Sequence, residues 1–134
     1  HGECVGIGTI MCARAYHELA KRDTIEVKPY EPLDPAWVRD VFGDLADGIF
    51  KENENDVLKT FPPENIKEHW QEIRDVIATI PTAEELIDLY TKIGAKHSLA
   101  ELDIDESIRG EFLDISSAIR NRLTFARMTR LIVK

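Results

Sequence analysis

Apolar residues recur at helical spacing along most of the chain. Val5, Ile7, Ile10, Met11, Ala15 and Leu19 predict a helix over 3–22, closed by Lys21 and Arg22, where cations suit the helix dipole. Asp34-Pro35 supplies an N-cap and a first helical residue for Val38, Val41, Phe42, Leu45 and Ile49, with a break expected near Gly43. Pro62-Pro63 opens a third segment, and Ile66, Trp70, Ile73, Ile77 and Ile80 predict one long amphipathic helix ending before Pro81. Thr82 and Glu85 form a capping box for Leu86, Leu89, Tyr90 and Ile93, and Gly94 terminates that helix. Ser98 and Glu101 repeat the capping pattern over a short turn. Asp105 begins a last long helix through Ile108, Phe112, Ile115 and Ile119, and Thr124 can cap a short one through Leu131. Only Ile25 and Val27 alternate with polar residues, which permits one short strand. The pattern predicts an all-α array of about six helices forming a single domain over 1–134.

Composition narrows the classes. With 134 residues the chain can bury one core, but it is too short for a nucleotide-binding sheet domain plus a separate substrate domain. It is 43% hydrophobic and 31% charged, which fits a folded, soluble, cytoplasmic protein. No membrane span and no secretory signal can be read in it. A start at His1 suggests a piece of something longer. The net charge of −8 makes nucleic acid a poor partner. That charge is uneven: residues 115–134 hold Arg120, Arg122, Arg127, Arg130 and Lys134 and no acid. Cys4 and Cys12 are too far apart on a helix for a disulfide and read as buried small hydrophobes in a reducing compartment.

Two runs could carry chemistry. The first is His1-Gly2-Glu3-Cys4-Val5-Gly6-Ile7-Gly8-Thr9, a possible metal ligand followed by three glycines on an apolar helix start. Gly2, Gly6 and Gly8 each cost about 1 kcal/mol relative to Ala in a helix, so a close approach by another backbone or a ligand is expected there. One histidine makes no site, since a catalytic zinc needs three protein ligands. The second run is Arg120 to Thr124, where Arg120, Arg122 and the Thr124 hydroxyl could hold a phosphate. The plain alternative is a helix end neutralised by arginine, with Thr124 as a cap. His17, His69 and His97 form no metal-binding spacing and read as solvated residues on polar faces or in loops.

At these two runs the chain resembles a known group. HGECVGIGT at 1–9 is similar to the metal-binding motif of the superfamily of dehydroquinate synthases, glycerol dehydrogenases and iron-containing alcohol dehydrogenases. Within that superfamily, VGIGTIM looks most like the sn-glycerol-1-phosphate dehydrogenases. Trp70 to Arg74, Ile80 to Leu86, and Ile93-Gly94-Ala95 followed by a Leu-x-x-Leu turn resemble the family's middle helices. Ile119-Arg120-Asn121-Arg122-Leu123-Thr124 resembles its Ile-Arg-Asp-Arg-Tyr-Thr segment, with Asn121 in place of an acid and Leu123 in place of an aromatic residue.

The resemblance covers nearly all of this chain but only the helical C-terminal domain of the family's proteins. It implies NAD(P)H-dependent reduction of dihydroxyacetone phosphate to sn-glycerol 1-phosphate, a step of phospholipid metabolism. A Zn²⁺ or Ni²⁺ ion would act as Lewis acid on the carbonyl. One Asp and two His hold that metal in the family, and His1 matches the last of them. The other two ligands and the N-terminal nucleotide-binding domain would lie upstream, so the chain alone is expected to be inactive. An uncovered face around Val5, Ile7, Met11 and the basic end leads to an expectation of self-association. The alternatives are a dehydroquinate synthase-like lyase domain, which shares the HGE motif, and a free-standing helical interaction module without enzymatic activity.

Overall fold

The computed structural model describes residues 1–134, and every regular element in it is helical. In chain order the α-helices are α1 Gly2–Ala20, α2 Pro35–Phe42, α3 Ala46–Glu52, α4 Glu64–Glu68, α5 Trp70–Ile77, α6 Ala83–Lys92, α7 Phe112–Ala118 and α8 Phe125–Met128. Short 3-10 turns lie between them, at Gly43–Leu45, Val57–Thr60, Ala100–Leu102, Glu106–Glu111 and Thr129–Leu131. The all-α class is as expected, with more and shorter helices than the predicted six. No helix is long and apolar enough to cross a membrane.

The residues gather into two compact units. Unit 1 comprises His1–Asp23 and Trp70–Phe112, and unit 2 comprises Thr24–His69 and Leu113–Lys134.

Unit 1 is built on α1, against which α5 and α6 pack. Ile7, Met11 and Leu99 form its buried cluster, with Leu102, Ile108 and Phe112 packed around them. The end of α1 leaves carbonyls without helical partners, and α5 supplies the donors. The Trp70 indole N–H donates to Arg22 O at 2.9 Å and Arg74 Nε donates to Ala20 O at 2.9 Å. His17 is not solvated as expected: it is half-buried and its Nε2–H donates to Ile80 O at 2.8 Å. Thr82 caps α6 by accepting from Glu85 N at 3.1 Å, and Gly94 adopts φ +73° just after the helix. Both behaviours follow from local sequence.

Unit 2 centres on Val38, Ala46, Ile49 and Ala118, with Leu33, Trp37, Phe42 and Phe50 packed on them. Asp34 caps α2 by accepting from Ala36 N at 3.0 Å. Gly43, at φ +51°, ends α2 where the break was expected. The predicted strand is reduced to one antiparallel bridge between Val27 and Ile132. It is framed by bonds from Lys28 N to Leu131 O and from Val133 N to Glu26 O, both 2.8 Å.

Two predicted long helices are interrupted. The segment expected to run unbroken to Ile80 divides into α4 and α5 at His69, the residue at which the chain passes from unit 2 to unit 1. The segment from Asp105 begins as a 3-10 turn and becomes α-helical only at Phe112. Cys4 also departs from expectation, because it is exposed. Cys12 is half-buried, and burial pushes its thiol pKa up.

Candidate functional site

The HGECVGIGT run lies in unit 1 and forms the first turns of α1. His1 is the N-cap residue: its carbonyl accepts from Val5 N at 3.1 Å, and its side chain makes no capping bond. The imidazole is exposed at the start of the helix. The three glycines stand in different surroundings. A β-carbon on Gly6 would meet Tyr90 Cε2 at 3.0 Å, so the α6 tyrosine ring lies directly on this turn. A β-carbon on Gly8 would have Phe112 Cζ at 3.9 Å, an ordinary contact, and one on Gly2 would meet nothing within 4 Å. The expected approach of another backbone is not found at any of the three; the tight neighbour is the Tyr90 side chain at Gly6. Of the apolar face expected to be uncovered, Ile7 and Met11 are buried and only Val5 is exposed, at 56%.

No group of three or more His, Cys, Asp and Glu side chains stands together in a way that could hold a metal. His1 supplies at most one of the three protein ligands that a catalytic zinc requires. His1 is exposed and stands apart from any such group.

The second run lies in unit 2, in the connection from α7 to α8. Arg120 and Arg122 are exposed. Thr124 is engaged as a helix cap, its Oγ1 accepting from Arg127 N at 3.2 Å, which is the plain alternative read from its position. Asn121 ties the run down: it donates from Nδ2 to Asn55 O at 2.8 Å and accepts on Oδ1 from Val57 N at 2.9 Å. Its own N–H donates to Glu52 Oε1 at 2.9 Å. The 120–124 backbone is thus held in place while the two guanidinium groups face solvent.

Beneath the run is a buried charge cluster that the sequence reading missed. Arg127 is 0% exposed. It binds Asp56 and Asn53 through Nη1 at 2.9 Å each, and donates through Nη2 to Ser117 O at 2.6 Å and Arg120 O at 2.7 Å. Arg130 binds the second oxygen of Asp56 at 2.9 Å and donates to Glu31 O at 3.1 Å. Burial opposes ionisation of Asp56, but the Leu58 amide and the two arginines outweigh it and hold its carboxyl below the ordinary aspartate value. The five basic residues of 115–134 are therefore not one surface: Arg127 is spent on the interior and Arg120 and Arg122 are left outside. Nothing in the spacing separates these roles.

No family model matches the chain, and no curated protein or solved structure is significantly similar to it.

Proposed function

We propose that this chain is the helical, metal-side portion of an NAD(P)-dependent oxidoreductase of the glycerol-1-phosphate dehydrogenase type, acting on dihydroxyacetone phosphate. The observation that carries the reading is the exposed His1 imidazole at the N-terminus of α1, at the head of the motif His1-Gly2-Glu3. An N-terminal helix end favours negative charge and offers free N–H groups, which suits the oxygen of a polarised carbonyl. In this reading the remaining metal ligands and the hydride donor's site belong to a nucleotide-binding partner domain. In the same reading the helical part corresponds to the C-terminal domain of the dehydroquinate synthase-like superfamily. Arg120 and Arg122 then serve as phosphate contacts in the complete enzyme, while Thr124 shapes the run by capping α8.

The test supplies zinc or nickel, dihydroxyacetone phosphate and NADH or NADPH to two proteins: the 134-residue chain, and the same chain joined behind a nucleotide-binding domain of the superfamily. The expected outcome is no turnover by the chain alone and metal-dependent turnover by the joined protein. His1→Ala in the joined protein abolishes zinc binding. Turnover by the isolated chain, or a zinc isotherm unchanged in His1→Ala, overturns the reading. Turnover of the dehydroquinate synthase substrate in place of dihydroxyacetone phosphate assigns the chain to the lyase branch instead.

A second reading is a helical interaction module, favoured by Leu89 and Ile93 on and just after α6, which are 51% and 68% exposed. Concentration-dependent sedimentation that reverts to monomer in Leu89→Lys supports self-association through that element, and a monomer at all concentrations removes it.

A further inference from the structure

Unit 1 contains a cavity of about 330 Å³ that does not involve His1 and plays no part in the function proposed above. Successive turns of α1 line it with Ile7, Met11 and Arg14. Leu99 adds to the apolar floor, and Ile87 of α6 stands opposite. Ile7, Met11 and Leu99 are buried and close the floor, while Ala15 and Ile87 are the more open apolar walls.

The rim has the opposite character. Arg14 and Arg109 contribute two guanidinium groups, and His97 adds an imidazole. Glu18 is the one acid on the lining, and Lys21 binds it at 2.7 Å. The lining itself carries two arginines against one glutamate, in a chain whose net charge is −8. Both arginines pair with exposed carboxylates, Arg14 with Glu84 at 3.3 Å and Arg109 with Glu106, and Arg14 also acts on Glu18 of the same lining. Such pairs are weak and exchange readily for another anion.

We infer that this cavity binds a small carboxylate with an apolar tail, its head at Arg14 and Arg109 and its tail against Ala15 and Ile87 above the floor of Ile7, Met11 and Leu99. A guanidinium binds a carboxylate through two parallel N–H···O bonds, which gives the head a fixed orientation. The volume lies at the lower end of small-molecule sites, which suits a single short chain.

The experiment titrates the full chain with octanoate, octanol and octylammonium, followed by amide chemical shifts. The expected result is saturable binding of octanoate, with shifts confined to the cavity lining around Arg14, Ser98 and Leu99. Octanol and octylammonium bind at least tenfold more weakly. Arg14→Gln combined with Arg109→Gln weakens octanoate at least tenfold, and Ile87→Trp, which fills the cavity from α6, removes binding while leaving both arginines in place. Equal binding of octanol and octanoate overturns the inference, as does unchanged affinity in the double variant or shifts spread over both units. The ligand series needs no substitution, so it decides the matter even where a variant fails to fold.

Discussion

The guanidinium of Arg127 and the carboxylate of Asp56 meet at 2.9 Å with their side chains 0% and 1% exposed. A buried ion pair gains little over a well-packed apolar pair, but breaking one strands the surviving charge. Asp56→Ala leaves Arg127 and Arg130 without a counter-charge inside unit 2. The expected loss is about 3–5 kcal/mol in urea unfolding. A loss under 1 kcal/mol would mean that the carbonyls of Ser117 and Arg120 suffice to hold Arg127.

The same pair sets an acid limit. The carboxyl pKa of Asp56 is lowered in the folded protein, so the unfolded chain binds the proton more readily. The stabilisation is complete above the ordinary aspartate range and is lost as pH falls through the depressed folded value. Unfolding midpoints measured from pH 7 down to pH 2 should decline for the parent, and the decline should be shallower in Asp56→Asn, which has no such carboxylate to protonate.

Asn121 separates a structural demand from a sequence likeness. Its Nδ2 donates to Asn55 O and its Oδ1 accepts from Val57 N. An aspartate keeps the acceptor and loses the donor. Asn121→Asp should therefore cost about 1–3 kcal/mol, because the Asn55 carbonyl then faces a carboxylate oxygen. A neutral effect would show that the run tolerates an acid at this position.

Thr124 and its two arginine neighbours should respond differently. Thr124→Ala removes the cap on α8 and should cost about 1 kcal/mol, with Thr124→Ser restoring most of it. Arg120→Gln and Arg122→Gln change exposed side chains and should stay within about 0.5 kcal/mol of the parent. If either arginine proves as costly as Thr124, its side chain is a structural tie and not a free anion contact.

Glycines on one helix give the last contrast. Gly8→Ala meets only ordinary contact and should gain about 0.5–1 kcal/mol from reduced backbone freedom. Gly6→Ala brings the same gain but presses a methyl group against Tyr90 at 3.0 Å, so it should be the less stable of the two. Repeating Gly6→Ala in a Tyr90→Ala background should recover the difference. Thermal unfolding of the parent, the three single variants and the double variant checks this, and equal effects at positions 6 and 8 would dismiss the Tyr90 contact as the reason for Gly6.

The sequence by itself determined the helical class and most helix ends. Asp34, Thr82 and Thr124 cap the helices they precede, and Gly43 and Gly94 take positive φ where helices stop. These are local events, settled by atoms within a few residues of each other, so spacing alone reveals them. The same spacing did not separate the exposed Arg120 and Arg122 from the buried Arg127.

Tertiary structure decided the rest. The period running to Ile80 is continuous on paper, yet His69 divides it, because Ile66 is buried in unit 2 while Trp70 bonds the end of α1 in unit 1. A repeat of apolar residues states that a face is buried but not against what. Arg127 makes the same point: its neighbours in sequence mark it as a dipole-compensating cation, and its burial depends on Asn53 and Asp56 from a distant polar stretch. Charges far apart in the chain become a pair only when packing removes the water between them, and no property of either segment alone carries that information.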